Sequence, residues 1–213
     1  MITLRANEIT LEEVDQLLDF TPLYDGKFSD FLTIKPISPI ELTQLQSIRS
    51  NFLTYIRRGK ASEGQARHIS INPILELAGY HKAPIELRIE EDIQRIDIQD
   101  KDIHIRGRLD LVAVNRTIAT SATSLLWILI VESKNLAASE FTGIAQMLTY
   151  AHGSLNTQSA VWGLVTNGAT YQFFHIQQGQ TPTYQYLPSL SLLESDRASQ
   201  LLQVLTAIRD WQP

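Results

Sequence analysis

The chain has 213 residues, 44% of them hydrophobic and 19% charged, with a formal net charge of −5 and no cysteine. Such a composition fits one globular domain with a sizeable core. It excludes disulfides, thiolate metal sites and cysteine nucleophiles, and the acidic balance speaks against whole-surface attraction to nucleic acid. No apolar run reaches the roughly 18–20 residues that cross a bilayer. The first eight residues place an acid, Glu8, early and lack the apolar run of a signal peptide. A cytoplasmic protein with no membrane partner is therefore expected.

Thr10-Leu-Glu-Glu13 has the form of a capping box, and Leu11, Val14, Leu17 and Leu18 are spaced for one helical face. Residues 19–35 read as irregular, broken by Pro22 and Gly26. Ser38-Pro-Ile-Glu41 opens a second helix running to about Arg58, with a serine cap, proline at the first helical position and glutamate at the third. Residues 1–58 thus form an N-terminal helical segment packed on a core formed by 59–213. A further helical stretch, Ser62 to Ala78, ends at Gly79 and holds Pro73, which predicts a kink or a break there.

From residue 85 to 114 the pattern changes to alternation, through Ile85, Leu87 and Ile89, then Ile96 and Ile98, then Ile103 and Ile105. A period of two predicts strands, with a tight turn near Asp100-Lys101 and the last strand carrying Asp110. Residues 115–124 are polar and read as a long hairpin connection, and 125–131 are continuously apolar, as in a strand covered on both faces. Ser139 to about His152 reads as a helix. Ser159–Thr166 and Thr170–Ile176 read as strands joined at Asn167-Gly168, and Ser195 to Trp211 as a closing amphipathic helix. This order predicts an α/β fold, a mixed sheet with helices on its faces.

Charge enters the strands in two places. Asp110 lies in Arg-Gly-Arg-Leu-Asp-Leu-Val-Ala-Val, residues 106–114, and Glu132-Ser-Lys134 closes the apolar run 125–131. Buried, unpartnered charges are costly enough to demand a partner. Residues two apart on a strand share a face, so Glu132 and Lys134 point one way and Ser133 the other. With Asp110 on a neighbouring strand, its carboxylate can meet Glu132 over one side of the sheet, where two carboxylates repel unless a cation lies between them. Hard oxygen donors suit Mg2+, with Mn2+ as a substitute. A lysine beside such an ion can orient water or stabilise charge on a phosphate. The bland alternative is a pair of strand-end acids salt-bridged to Lys134 and Arg108. His68, His81, His104, His152 and His175 are scattered without metal-ligand spacing. Arg57, Arg58 and Lys60 form a small basic cluster, and Arg106 and Arg108 flank the Asp110 segment; such arginines are more often solvated surface charge than a DNA footprint.

Asp110 followed by Glu132-Ser133-Lys134 resembles the bipartite motif of the PD-(D/E)XK nuclease superfamily. Glu63 and Arg67, followed by Ile71-Asn-Pro-Ile-Leu-Glu-Leu-Ala-Gly-Tyr80, resemble the helix preceding the core sheet in the nuclease domains of type I restriction enzyme R subunits. Gln146-Met-Leu-Thr-Tyr150 resembles the Gln-x-x-x-Tyr motif of that group, and Val165-Thr-Asn-Gly168 a frequent turn after the next strand. The resemblance covers roughly residues 60–178, with Leu109 where the family name has proline. It implies a restriction-endonuclease-like core and a Mg2+-dependent endonuclease acting on DNA. Asp110, Glu132, the Ser133 backbone carbonyl and Glu63 would hold the metal, with Glu76, Glu86 or Glu90 as substitutes for Glu63. Lys134 would assist the water, Gln146 would position substrate or the lysine, and Tyr150 and Arg108 would contact substrate. The sequence shows no helicase motor or methyltransferase segment, so a restriction-type role calls for other chains as separate motor or specificity subunits; a homodimer is the other partnership expected. A non-catalytic binding or scaffold module that keeps the fold is the competing reading, and a metal-dependent phosphatase-like enzyme the third.

Overall fold

The computed structural model describes residues 2–59, 61–90, 92, 96–98, 103–121, 124–137 and 143–212. In chain order the first half contains β1 (Ile2–Arg5), α1 (Leu11–Leu18), β2 (Thr21–Leu23), α2 (Pro39–Arg57), α3 (Glu63–Ala66) and α4 (Asn72–Leu77). Then come β3 (Ile85–Ile89), β4 (Ile96–Ile98), β5 (Ile103–Arg106), β6 (Leu111–Ala119) and β7 (Leu125–Ser133). The chain finishes with α5 (Ile144–Leu155), β8 (Ala160–Thr166), β9 (Thr170–Gln177), β10 (Thr183–Tyr186), β11 (Leu190–Ser191) and α6 (Ser195–Arg209).

A mixed eight-stranded sheet in the order β2-β10-β9-β8-β7-β6-β3, with β11 beside β9, forms the centre. Its pairings are antiparallel except β7 with β8 and β2 with β10. A parallel neighbour demands a crossover, and α5 supplies the one from β7 to β8. Alternate residues of β7 and β8 feed two cores. Leu129, Val131, Trp162 and Leu164 pack with α2, α4 and α6. Ile130, Val161 and Val165 pack with α1, α5 and the small sheet β1-β5-β4. The continuous apolar run of β7 is thus explained, since both of its faces are covered. No described helix is long and apolar enough to cross a membrane.

Both capping boxes form: Thr10 and Glu13 exchange hydrogen bonds at the start of α1, and Ser38 and Glu41 at the start of α2. The break at Pro73 takes a specific form. Between α3 and α4 the helix widens into a π-turn, Arg67–Ile71, with the Asn72 amide donating to the Arg67 carbonyl. Proline has no amide to continue the α-pattern, and the wider turn accommodates that loss without ending the helix.

Several elements depart from the sequence reading. The first half of the supposed hairpin connection 115–124 is strand: β6 runs on to Ala119, with register shifts on either side of Asn115, whose side chain accepts from the Thr117 amide and hydroxyl. The alternating segments of 85–114 divide between two sheets, β4 and β5 going to the small one. β1 and β2 occupy stretches without an evident strand pattern; β2 holds Pro22 and lies at a sheet edge, where a missing amide is tolerated. The N-terminal helices cover opposite faces, α1 against α5 and α2 against α4 and α6. The turn expected near Asp100-Lys101, the start of the helix expected at Ser139, and Lys60 lie outside the described residues.

Candidate active site

The site forms where β7 outruns one neighbour. Its pairing with β6 ends at Val131, opposite Leu111, while its pairing with β8 continues through Glu132 and Ser133. The Ser133 amide therefore has no strand partner on the β6 side, and the Asp110 side chain takes that place. Asp110 Oδ2 accepts from the Ser133 amide at 2.7 Å and from its hydroxyl at 2.9 Å. One expectation is corrected here. Asp110 is not a strand residue but stands in the bend before β6. Its carboxylate is fastened to Ser133 at the strand end, from where its charge acts on Glu132. The site wraps round the end of β7.

On the α5 side, Glu132 and Lys134 do share a face. Lys134 Nζ donates to Glu132 Oε1 at 2.6 Å and to Gln146 Oε1 at 3.3 Å. Gln146 Nε2 donates to the Tyr150 hydroxyl at 2.6 Å, and that hydroxyl donates to the Arg108 carbonyl at 2.8 Å. Gln146 and Tyr150 stand one turn apart on α5, so one helix face aligns the relay. Tyr150 is buried and its hydroxyl is engaged on both sides; burial, with the Glu132 charge second, raises its pKa. The Arg108 side chain is exposed and lies 3.6 Å from Glu90. Gly143 closes the wall, since a Cβ there would stand 2.9 Å from Glu132 Cγ and 3.1 Å from Lys134 Cε.

Glu132 is only 1% exposed, and its Oε2 is buried with no hydrogen-bond partner. Burial foremost, then the negative charge of Asp110, pushes its carboxyl up to about 8 against the opposing pull of Lys134. The Asp110 and Glu132 carboxylates are therefore within electrostatic reach of each other.

The other side is organised by Arg67, which the sequence offered only as part of a resembling helix. Arg67 Nε donates to Ser133 Oγ at 2.6 Å, and Nη2 donates to Asp110 Oδ1 at 2.7 Å and also to Glu63 Oε1. Nη1 lies 3.8 Å from Glu90 Oε1. The four-residue spacing of Glu63 and Arg67 was the available signal. Its cross-sheet partners were not readable. Glu63 thus reaches the site, 3.4 Å from Ser133 Oγ, as a partner of arginine. Of the other acids, Glu90 borders the site through Arg67 and Arg108, Glu86 pairs with Arg88 and Arg116, and Glu76 lines a surface hollow between α2 and α4. Among the described residues, Asp110 forms its ion pair with Arg67.

The donor set suits a hard divalent cation. Asp110 and Glu132 offer carboxylate oxygens, and one of these, Glu132 Oε2, is buried without a partner. Among the described residues no three Asp, Glu or His side chains are already gathered into a metal cage. The histidines stay apart from this chemistry: the His175 ring lies among Phe31, Trp162 and Trp211, the His152 ring packs against Phe20, His104 is buried on β5, and His68 and His81 line surface hollows. Neither a protein-family model nor a curated protein matches the chain.

Proposed function

We propose that the chain is a metal-dependent nuclease with a restriction-endonuclease-like core that hydrolyses phosphodiester bonds in DNA. The observation that carries this reading is Glu132: a buried carboxylate with one oxygen bound to Lys134, the other unpartnered, and Asp110 close enough to oppose its ionisation. Asp110 and Glu132, with the Ser133 carbonyl and Glu63 as further candidates, would hold Mg2+ or Mn2+. The ion would supply a water of lowered pKa and neutralise charge on the phosphate.

The chain's own residues do the rest. Lys134 is held between Glu132 and Gln146, so its ammonium is preorganised to orient a water or stabilise charge developing on the phosphate. Gln146 fixes the lysine, and Tyr150 fixes Gln146 through the Arg108 carbonyl. The exposed Arg108 side chain is the candidate contact to the DNA backbone.

Incubating DNA with Mg2+, with Mn2+ and with EDTA tests the reading. Metal-dependent cleavage is expected, falling about 100-fold or more in Lys134→Ala and in Asp110→Asn. Cleavage that survives both changes overturns it. One observation favours a non-catalytic module of the same fold, namely that Arg67 engages both Asp110 and Glu63. If wild-type protein shows neither cleavage nor any metal-induced rise in Tm, that second reading replaces the first.

A further inference from the structure

Three acids, Asp110, Glu63 and, at 3.8 Å, Glu90, meet one guanidinium at the end of β7. Arg67 binds Asp110 Oδ1 and Glu63 Oε1 with a single nitrogen and Ser133 Oγ with another. We propose that Arg67 is the site's resident counter-cation: it neutralises Asp110 and Glu63 while no divalent ion is bound, and it must release Asp110 Oδ1 to the ion, so that it sets the ion's affinity. This inference rests on the reading that Asp110 and Glu132 hold a metal.

The geometry distinguishes a yielding partner from a fixed one. Asp110 does not depend on Arg67 for its position, because its second oxygen is fastened by the Ser133 amide and hydroxyl. With Oδ1 released, the carboxylate stays aimed. Arg67 in turn keeps other partners, Glu63, Ser133 Oγ and Glu90 Oε1 at 3.8 Å, so leaving Asp110 does not strand its charge. Its side chain is 27% exposed, which lets water solvate the guanidinium as it moves. Arginine is suited to this duty because it stays protonated at any working pH and so competes with the ion throughout. Lys134 differs in being tied to Glu132 and Gln146 on the α5 side.

An arginine that merely scaffolds the acids makes the opposite prediction. Its removal would scatter Asp110 and Glu63 and weaken metal binding. A counter-cation that has to be displaced weakens binding by its presence, and its removal tightens it.

Calorimetric titration of the full chain with MnCl2 decides between them, using wild type, Arg67→Met, Arg67→Lys and Glu132→Gln. In metal-free buffer Arg67→Met lowers Tm, because the carboxylates then repel without relief. It is expected to bind Mn2+ about tenfold more tightly than wild type, the scale of one lost charge-assisted hydrogen bond. Arg67→Lys, which keeps the charge but loses the fork, falls between the two and carries the test if Arg67→Met does not fold. If wild type binds, Glu132→Gln does not, and the Arg67 variants bind equally or more weakly, the counter-cation is overturned while the metal site stands. If no protein in the set binds Mn2+, both fall.

Discussion

Glu132→Gln is expected to make the metal-free protein more stable at alkaline pH while removing its activity. The carboxyl of Glu132 rises from 4.5 to about 8 in the fold, chiefly through burial. An acid whose pKa is raised on folding binds more protons in the native than in the unfolded state between those values. Its contribution is fully present below about pH 4.5 and is lost as pH rises through about 8. At ~1.4 kcal/mol per unit the span gives a ceiling of about 5 kcal/mol. Water entry and local relaxation around the ionised group reduce this to on the order of 1–3 kcal/mol.

Glutamine keeps the oxygen that accepts from Lys134 and resembles the protonated acid, so the two proteins should be near-equal at pH 5 and diverge by pH 9. Urea denaturation in EDTA at half-unit pH steps measures the difference curve, in which other titrating groups cancel. Parallel curves for wild type and Glu132→Gln across that window refute the reasoning. Added Mg2+ should restore the alkaline loss in wild type and leave the variant unchanged.

Gly143→Ala sets a methyl 2.9 Å from Glu132 Cγ and 3.1 Å from Val165 Cγ1, closer than packed carbons sit. It should cost about 1–3 kcal/mol by urea midpoint and weaken metal binding by displacing Glu132. His175 carries the opposite pH signature. Burial lowers its pKa to about 4, so stability is present above about 6.5 and falls as pH drops towards 4. Because both ring nitrogens lack partners, His175→Phe should flatten that acid limb by on the order of 1–3 kcal/mol, and an unchanged limb in thermal melts from pH 4 to 7 counts against it.

Local chemistry was legible in the sequence wherever neighbours in the chain decide the outcome. Ser38 and Glu41 announce α2 because both halves of the capping box lie within one turn. Asn167-Gly168 announces the β8–β9 hairpin because Asn167 Oδ1 accepts from the amides of Ala169 and Thr170, while Gly168 adopts a φ of 84°. The shared face of Glu132 and Lys134 followed from the strand period alone. What required the fold was the choice of partner. Alternation at Ile96, Ile98, Ile103 and Ile105 shows strand character but not that β4 and β5 pair away from the central sheet. Likewise Asp110 was visible as a misplaced charge, but its attachment to Ser133 depends on where the β6–β7 ladder stops, and to Arg67 on a contact across 43 residues of sequence.

The π-turn at Arg67–Ile71 has a consequence of its own. A π-turn holds one residue more than the α-helical repeat it interrupts. Over its length the wider turn falls short of α-helical rotation by about one residue's step, roughly 100°. Straightening it with every residue kept would therefore turn α3 by about 100° relative to α4. α4 would keep Ile74 and Leu75 in the core, while Glu63 and Arg67 would swing away from Ser133 and Asp110. Deleting one residue within the turn would instead leave a regular helix with both side chains still facing the strand end. The turn thus absorbs the extra residue and keeps the helix that packs in phase with the helix that serves the chemistry.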